Sequence, residues 1–345
     1  MSGLDSLERI CGKDLGERAL RVALLAVIRE RVPCDAYVWV LTDPETCVGA
    51  APLAETPSLA ALPALIRRKY LTATNRWTGL GAGSAATLVE ATGGDRSQSR
   101  IWDELLSGYG VDDVVSTVFR DQYGCWGFLD LWRRGRPFDA GERDLLARVA
   151  TLVTPALRRS LAPTFAVAAT PPASEPVLVL LSDRLQPITQ TPKADAYLRA
   201  LLPTDAERAP VPAAAYNVAA QLLAQEEGVD AHPPWARAHL RDGLWVTVRA
   251  ARMVADGSIA VSIEPTPPAE RTTLYGRGVG LSERETELLH HLVGGSDTRE
   301  IAGWMFVSEH TVQDHLKSVF AKTGAGNRRV LVARATGAAV APGSV

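Results

Sequence analysis

The C-terminal part of the chain contains three helix-start signals in close succession, and these constrain the fold more than any other feature of the sequence. Ser282 with Glu285, and Asp297 with Glu300, have the spacing of a capping box. In this motif the two side chains bond to free backbone N–H groups at a helix start. Ser308 is a third N-cap candidate. The segment therefore predicts short helices that begin at about residues 283, 298 and 309.

The third of these helices, predicted over residues 309–323, has two different faces. Apolar residues recur at helical spacing along one face: Val312, Leu316, Val319 and Phe320. Polar residues recur along the opposite face: His310, Gln313, Asp314 and Lys317. A tight turn between two short helices, the second of them polar on its outer side, is typical of a helix-turn-helix reader of double-stranded DNA.

Residues 281–335 read LSERETELLHHLVGGSDTREIAGWMFVSEHTVQDHLKSVFAKTGAGNRRVLVARA. This segment resembles throughout the LuxR-type pattern of LTxRE, a glycine, xxEIAxxLxxSxxTVxxH and KxxxxNR. The resemblance implies an all-α, four-helix domain of a bacterial transcriptional regulator. Its third helix would enter the major groove, and its fourth, at about residues 328–335, would support a homodimer. The abundant alanine and the dominance of arginine over lysine fit an actinobacterial source.

The resemblance also implies roles for individual side chains. Three residues correspond to positions that read bases: Gln313, Asp314 and Lys317. Five correspond to positions near phosphates: Ser308, His310, Thr311, Lys322 and Arg328. Gln313 stands directly after Thr311 and Val312, where the family often has a basic residue, and Asp314 lies beside it. Asp314 could accept a hydrogen bond from a cytosine amino group, a contact worth roughly 1 to 3 kcal/mol in discrimination, or it could point to solvent beside Lys317.

The charge of the chain is compatible with a local DNA-binding surface only. The formal net charge is -2, so the protein as a whole has no general attraction for a polyanion. Residues 315–336, however, contain five basic side chains and no acidic one. Any contact with nucleic acid is therefore expected at this end of the chain.

Two proline-rich segments, residues 162–176 and 264–280, have the composition of linkers. They predict three domains: residues 1–162, residues 175–266 and residues 275–340. The first two contain mixed helix and strand patterns, so the predicted fold class is two α+β domains followed by an all-α helix-turn-helix domain.

In the first domain, Asp14 and Glu17 suggest a capping box for a helix that ends before Pro33. Strands are predicted over residues 36–41, 114–119 and 126–132, and a closing helix follows Asp139. This order, with the closing run RPFDAGERDLLARVATLV, resembles a GAF sensory domain. In the second domain a strand, a turn at residues 182–184, a helix from about Thr191 and strands over 244–249 and 258–264 resemble a PAS domain.

Several other kinds of chemistry find no support in the sequence. The four cysteines lack CxxC spacing, which favours buried thiols over a zinc site or a disulfide framework. The histidines have no complementary ligands, and no nucleophile elbow, HExxH motif or pair of catalytic acids is present. We therefore expect no metal, no cofactor and no enzymatic activity. Without a leader or a long apolar segment, the protein is expected in the cytoplasm.

These observations predict a one-component regulator, in which the front domains bind an unidentified small molecule or a partner protein and so control dimerisation or DNA binding. Two alternatives remain open at this point. The front domains could be catalytic and use the helix-turn-helix only as a tether to DNA, or they could be a scaffold that binds no small molecule.

Overall fold

The computed structural model describes residues 3–166, 175–201, 212–241 and 243–338. The chain divides into two compact units. The N-terminal unit comprises residues 1–157, 174–238 and 247–264, and the C-terminal unit comprises residues 158–173, 239–246 and 265–345. The second unit thus contains the whole predicted helix-turn-helix, whereas the first contains most of both predicted front domains. The predicted bounds of the three domains, residues 1–162, 175–266 and 275–340, remain a prediction.

The first part of the N-terminal unit is built on a five-stranded antiparallel sheet. Its strands are β1 Ala36–Thr42, β2 Gly49–Glu55, β3 Ala85–Thr87, β4 Asp113–Asp121 and β5 Gly124–Arg133. Their order is β2-β1-β5-β4-β3, with Trp39 opposite Leu129 in the register of β1 and β5. The helices are α1 Gly3–Cys11, α2 Glu17–Arg31, α3 Leu62–Tyr70, α4 Leu88–Ala91 and α5 Ala140–Arg159. The three strands predicted over residues 36–41, 114–119 and 126–132 are confirmed as β1, β4 and β5.

A second antiparallel sheet follows. Its strands are β6 Val177–Leu181, β7 Pro187–Gln190, β8 Trp235–Arg241, β9 Leu244–Arg252 and β10 Ile259–Pro265, in the order β7-β6-β10-β9-β8. Counted from its own first strand, this sheet has the same order as the first sheet. Among the described residues between β7 and β8 are the helices α6 Ala194–Leu201 and α7 Ala213–Glu226. The predicted helix near Thr191 begins three residues later, at Ala194.

Helix α7 packs against α3 and β2 of the first sheet, although it follows β7 in the chain. Every residue from Ala213 to Ala224 is buried. At Gly49 a Cβ atom would lie 2.8 Å from Val40 Cγ1 and 2.9 Å from Asn217 Nδ2, so only glycine fits between β1 and α7 without displacement. Buried ion pairs between Arg237 and Asp43 and between Arg76 and Asp230 make further connections. Both predicted front domains therefore contribute to one packed unit.

Two local expectations are wrong. Helix α2 has Gly16 as its N-cap and no side-chain cap, so Asp14 and Glu17 form no capping box. The Glu17 carboxylate instead accepts a hydrogen bond from Arg21 Nε at 3.1 Å. Arg21 is almost fully buried, and a buried guanidinium needs acceptors more than a solvated helix end does.

The second proline-rich segment, expected to be a linker, contains helix α8, Pro268–Val279. Proline is tolerated at a helix start because the N–H that it lacks has no partner there. Gly280, with φ +74°, adopts the left-handed conformation that ends the helix. The proline and glycine residues that suggested a linker mark the two ends of this helix.

The part of the C-terminal unit that follows residue 267 is helical: after α8 come α9 Glu283–Val293, α10 Thr298–Met305, α11 Glu309–Thr323 and α12 Arg328–Thr336. Side chains from all five helices form one core, which includes Leu274, Leu288, Ile301, Met305, Val312, Leu316 and Leu331. The predicted four-helix, all-α domain is confirmed, with α8 as an additional leading helix. Within the described ranges, every helix is too short or too polar to span a lipid bilayer.

Candidate nucleic-acid interface and effector cavity

The three helix caps predicted in the C-terminal part of the chain are all formed. Glu285 N donates to Ser282 Oγ at 3.3 Å, and Glu300 N donates to Asp297 Oδ1 at 2.9 Å. The glutamates bond back to the cap residues, which completes both capping boxes. Ser308 accepts a hydrogen bond from the Thr311 amide at 3.1 Å. Caps of this kind stabilise a helix by about 1 kcal/mol each, so the starts of α9, α10 and α11 are set locally.

The turn between α10 and α11 depends on an unusual residue. Phe306 ends α10 in the left-handed conformation, with φ +56° and ψ +44°, where glycine is the common choice. Its amide donates to Gly303 O at 3.3 Å, and the Val307 amide donates to Ala302 O at 3.0 Å. The Phe306 ring is 94% exposed. The turn was expected from the sequence, but the exposure of an aromatic side chain at this turn was not.

Helix α11 presents the two faces that its sequence predicted. Val312, Leu316 and Val319 are buried in the core of the unit. The opposite row, His310, Gln313, Asp314 and Lys317, is exposed. Four hydrogen-bonding side chains thus lie along one solvent-facing side of a four-turn helix, which is the arrangement that a major groove can accept.

Within this exposed row, Asp314 is bonded to its neighbours on the helix. Lys317 Nζ donates to Asp314 Oδ1 at 3.0 Å, and His310 Nε2 lies 3.5 Å from Asp314 Oδ2. The hydrogen bond and charge of Lys317 lower the pKa of Asp314. In the free protein Asp314 therefore stands in solvent beside Lys317. A contact with a base would have to replace this exposed ion pair, which costs little because such pairs contribute 0 to 1 kcal/mol.

Thr298, the first residue of α10, connects three of the helices. Its hydroxyl oxygen accepts hydrogen bonds from Arg328 Nη2 at 2.6 Å and from Gln313 Nε2 at 3.4 Å. The start of α12 and the exposed row of α11 are therefore tied to the start of α10. Sequence reasoning did not select Thr298, because nothing in its local spacing signals contacts with residues 15 and 30 positions away.

Glu285 plays a second role besides capping α9. Its buried carboxylate accepts hydrogen bonds from Ser318 Oγ and from Lys322 Nζ, both at 2.6 Å. Burial raises the pKa of Glu285, but hydrogen bonds from Lys322, Ser318 and the Ser282 amide outweigh it and lower the pKa to about 2. Lys322, predicted near a phosphate, is therefore paired inside the domain. Its side chain is still 37% exposed.

The other residues predicted near phosphates lie at two helix starts. Ser308 and Thr311 form the first turn of α11, with 2.9 Å between their hydroxyl oxygens, and His310 is exposed beside them. Arg328 begins α12. A helix start carries partial positive charge and unpaired N–H groups, which favours anions nearby.

The histidines of the described residues do not gather into a cluster with cysteine or carboxylate side chains. No group of three or more histidine, cysteine, aspartate or glutamate side chains there is placed to hold an ion. His290 instead contacts Thr273 Oγ1 at 3.1 Å, and burial lowers its pKa.

A small cavity lies on one face of the first sheet, between β1, β5, α3 and α7, with a volume of about 50 Å³. Its walls are mostly apolar and include Val38, Val40, Leu65, Phe128, Trp132 and Ala213. One end is polar. Lys69 Nζ lies 2.7 Å from Asp130 Oδ2, and Ser116 Oγ donates to Asp130 Oδ1 at 2.7 Å. Both members of this ion pair are largely buried.

The capped helices, the tight turn and the polar row on α11 define a helix-turn-helix domain. In a comparison with models of protein families, residues 279–335 match the luxR family of bacterial regulatory proteins. This segment is a LuxR-type helix-turn-helix domain, the DNA-binding module of bacterial regulatory proteins.

Over the whole chain, the similarity to known proteins is low. No curated protein matches the chain. Among solved structures, a crystal structure of Escherichia coli SdiA aligns with a TM-score of 0.35 and 13% identity, covering 97% of this chain and 96% of SdiA. SdiA in complex with octanoyl-rac-glycerol aligns with a TM-score of 0.34 and 14% identity, covering 97% of this chain and 93% of the other.

Proposed function

We propose that this protein is a sequence-specific DNA-binding transcriptional regulator in which α11 enters the major groove. The observation that carries the proposal is the exposed polar row of α11 within a LuxR-type domain whose helix starts are all capped. Because the caps and the core fix the helix, its side chains are held ready to meet base edges.

The side chains divide into two groups. Gln313, Asp314 and Lys317 read bases, since they lie in the middle of the exposed row. Ser308, His310, Thr311, Lys322 and Arg328 contact phosphates. The Thr298 hydroxyl supports both groups, because it bonds to Gln313 and to Arg328. Phosphate contacts position the protein, and base contacts determine the sequence it selects.

The N-terminal unit controls the DNA binding or the homodimerisation of the protein. We infer that it comprises GAF-like and PAS-like halves, a view supported by the common strand order of the two sheets. A small molecule would bind in the cavity beside Lys69 and Asp130 and alter DNA binding or homodimerisation. Two half-sites read by a dimer raise affinity and specificity together. Since its ligand is chromosomal DNA, the protein would act in the cytoplasm.

One observation favours a second candidate function, that of a regulator whose N-terminal unit is only a scaffold. The cavity has a volume of about 50 Å³, whereas ligand sites commonly occupy about 300 to 1,000 Å³. A small-molecule screen by thermal shift separates the two. A compound that stabilises the wild type, but not the variant Ala213→Phe, supports the effector function, and no stabilising compound favours the scaffold.

The test of DNA recognition begins with full-length protein and a pool of random duplexes. Repeated selection should enrich a sequence with two related half-sites, and sedimentation of the complex should give two protein chains per duplex. An enriched single half-site bound by one chain would contradict dimeric binding. A pool that shows no enrichment at low salt would contradict sequence-specific recognition.

A further inference from the structure

Helix α8 contains a buried arginine whose hydrogen-bonding capacity is largely unused. Arg271 is 2% exposed. Its Nη1 donates to Gly243 O at 2.8 Å, but Nε and Nη2 are buried without an acceptor. In the part of the chain that the structure describes, no carboxylate is paired with it, and burial lowers the pKa of Arg271 to about 10.

Arg271 lies against the ring of Phe165, which belongs to an aromatic cluster in the same unit. The guanidinium carbon lies 5.0 Å from the centre of the Phe165 ring. Trp245 stacks on Phe165 with ring centres 5.1 Å apart, and Tyr275 meets its edge at 5.3 Å. The indole Nε1 of Trp245 is also buried and without an acceptor. Two side chains around one phenylalanine thus hold unused N–H donors.

Such an arrangement is unfavourable unless something else completes it. A buried charge without a counterion costs several kcal/mol, and the ring face of Phe165 compensates for only a part of this. A leucine or methionine would fill the same space at lower cost. The position therefore holds a side chain that weakens the unliganded fold, as binding sites often do.

The free donors have a specific geometry. In a guanidinium the Nε–H and one N–H of Nη2 lie on the same edge of the plane and point in the same direction. This edge matches the two oxygens of a carboxylate or phosphate and forms two parallel, charge-assisted hydrogen bonds. The hydrogen bond to Gly243 occupies Nη1 only, so this edge remains free.

We propose that Arg271 and Trp245 form a binding site for the oxyanion group, carboxylate or phosphate, of a small acidic molecule. The oxyanion accepts from Arg271 Nε and Nη2, and the Trp245 indole N–H is available as an additional donor. The site belongs to α8, which packs against α9 and α12 of the DNA-binding domain. It is separate from the cavity beside Lys69, so it does not depend on the effector site proposed above.

The experiment measures thermal unfolding of the full-length protein against increasing inorganic phosphate and, separately, sodium acetate. Sodium chloride at equal ionic strength serves as the reference. We expect at least one anion to raise Tm along a saturating curve, because a ligand that binds only the folded state stabilises it. Arg271→Gln should abolish the rise, and Trp245→Phe, which keeps the stacked ring, should reduce it at least twofold.

Arg284→Gln is the matched control, since it removes the same charge from an exposed side chain of the neighbouring helix. It should leave the response unchanged. The proposal is overturned if neither anion gives a saturating rise, or if Arg271→Gln responds as the wild type does. A rise in Tm with acetate indicates a carboxylate ligand, and a rise with inorganic phosphate indicates a phosphate ligand.

A second measurement does not depend on the stability of an arginine variant. The difference in tryptophan emission between wild type and Trp245→Phe isolates the signal of Trp245. That signal should change with the same dependence on anion concentration as Tm. An emission difference that stays constant over the range in which Tm rises would place the anion elsewhere and overturn the proposal.

Discussion

Two buried arginines, one in each unit, differ in how well their charge is satisfied. Arg237 in the N-terminal unit donates from Nε to Asp43 Oδ2 at 2.6 Å and from Nη2 to Asp43 Oδ1 at 2.9 Å. Arg271 in the C-terminal unit has one backbone acceptor and no carboxylate among the described residues. The charge of Arg237 is satisfied within the fold, whereas the unused donors of Arg271 are the basis of the proposed oxyanion site.

The largest expected effect comes from removing the partner of Arg237. Although burial raises the pKa of Asp43, the charge and hydrogen bonds of Arg237 bring it below its ordinary value, so Asp43 is ionised at neutral pH. Asp43→Ala removes the buried carboxylate that pairs with two nitrogens of this guanidinium, whereas the half-exposed Glu45 remains in contact with Nη2. It should lower the free energy of unfolding of the N-terminal unit by about 3 to 5 kcal/mol, measured by chemical denaturation.

Asp195→Ala provides the control for Asp43→Ala. Asp195 pairs with Arg199 on the surface of α6, so its loss should cost under about 1 kcal/mol. Equal effects of the two substitutions would show that burial does not distinguish these ion pairs, and the comparison between the two arginines would lose its basis.

Replacing Arg271 is expected to affect the free energy of unfolding in the opposite direction from Asp43→Ala. Arg271→Met removes an uncompensated charge and keeps an apolar chain of similar length. In anion-free buffer it should leave the free energy of unfolding unchanged or raise it by about 1 to 3 kcal/mol, measured by chemical denaturation. A loss of similar size would mean that Arg271 is as structural as Arg237.

Interactions could be predicted from the sequence when the two residues are close together along the chain, and not when they are far apart. Ser282 and Glu285 are three positions apart, so their capping box is visible in a short window, and the helices of the DNA-binding domain were predicted to within a residue or two. Asp43 and Arg237 are 194 positions apart, and no local pattern joins them. The wrong capping box at Asp14 has the same cause, since buried Arg21 engages Glu17.

The candidate DNA-binding residues show the same limit. Helical spacing was enough to place Gln313, Asp314 and Lys317 on one exposed face. It did not reveal that Lys322 is bonded to Glu285, or that Thr298 holds Arg328, because those contacts depend on how the helices pack. Composition also misled, since a proline-rich segment read as a linker contains α8 and the Arg271 site.

A pH-dependent effect of intermediate size is expected from Glu285. Its pKa in the folded protein is about 2, below the ordinary 4.5, so its stabilising contribution is complete above about pH 4.5 and is lost as the pH falls towards 2. The Tm of the wild type should fall over this range. Glu285→Gln should be less stable at pH 7 by about 1 to 3 kcal/mol, with a shallower fall. If the Tm values of the wild type and of Glu285→Gln fall equally with pH, the ionised Glu285 carboxylate does not stabilise the domain.

The smallest expected effect concerns the start of α11. Ser308→Ala removes the cap of this helix and should lower the free energy of unfolding by about 1 kcal/mol, whereas Ser308→Asp keeps a capping oxygen and should cost less. Chemical denaturation at neutral pH checks this. If alanine and aspartate are equivalent, the hydroxyl does not cap α11 in solution.

The most direct test of DNA recognition is an anisotropy titration of the full-length protein on a selected duplex and a scrambled duplex at two salt concentrations. Binding should weaken with salt, and Gln313→Ala should reduce the preference for the selected sequence by about 1 to 3 kcal/mol while leaving scrambled binding unchanged. Arg284→Ala, which lies on another helix, should not change the preference. A preference that survives both Gln313→Ala and Lys317→Ala would show that α11 does not read the sequence.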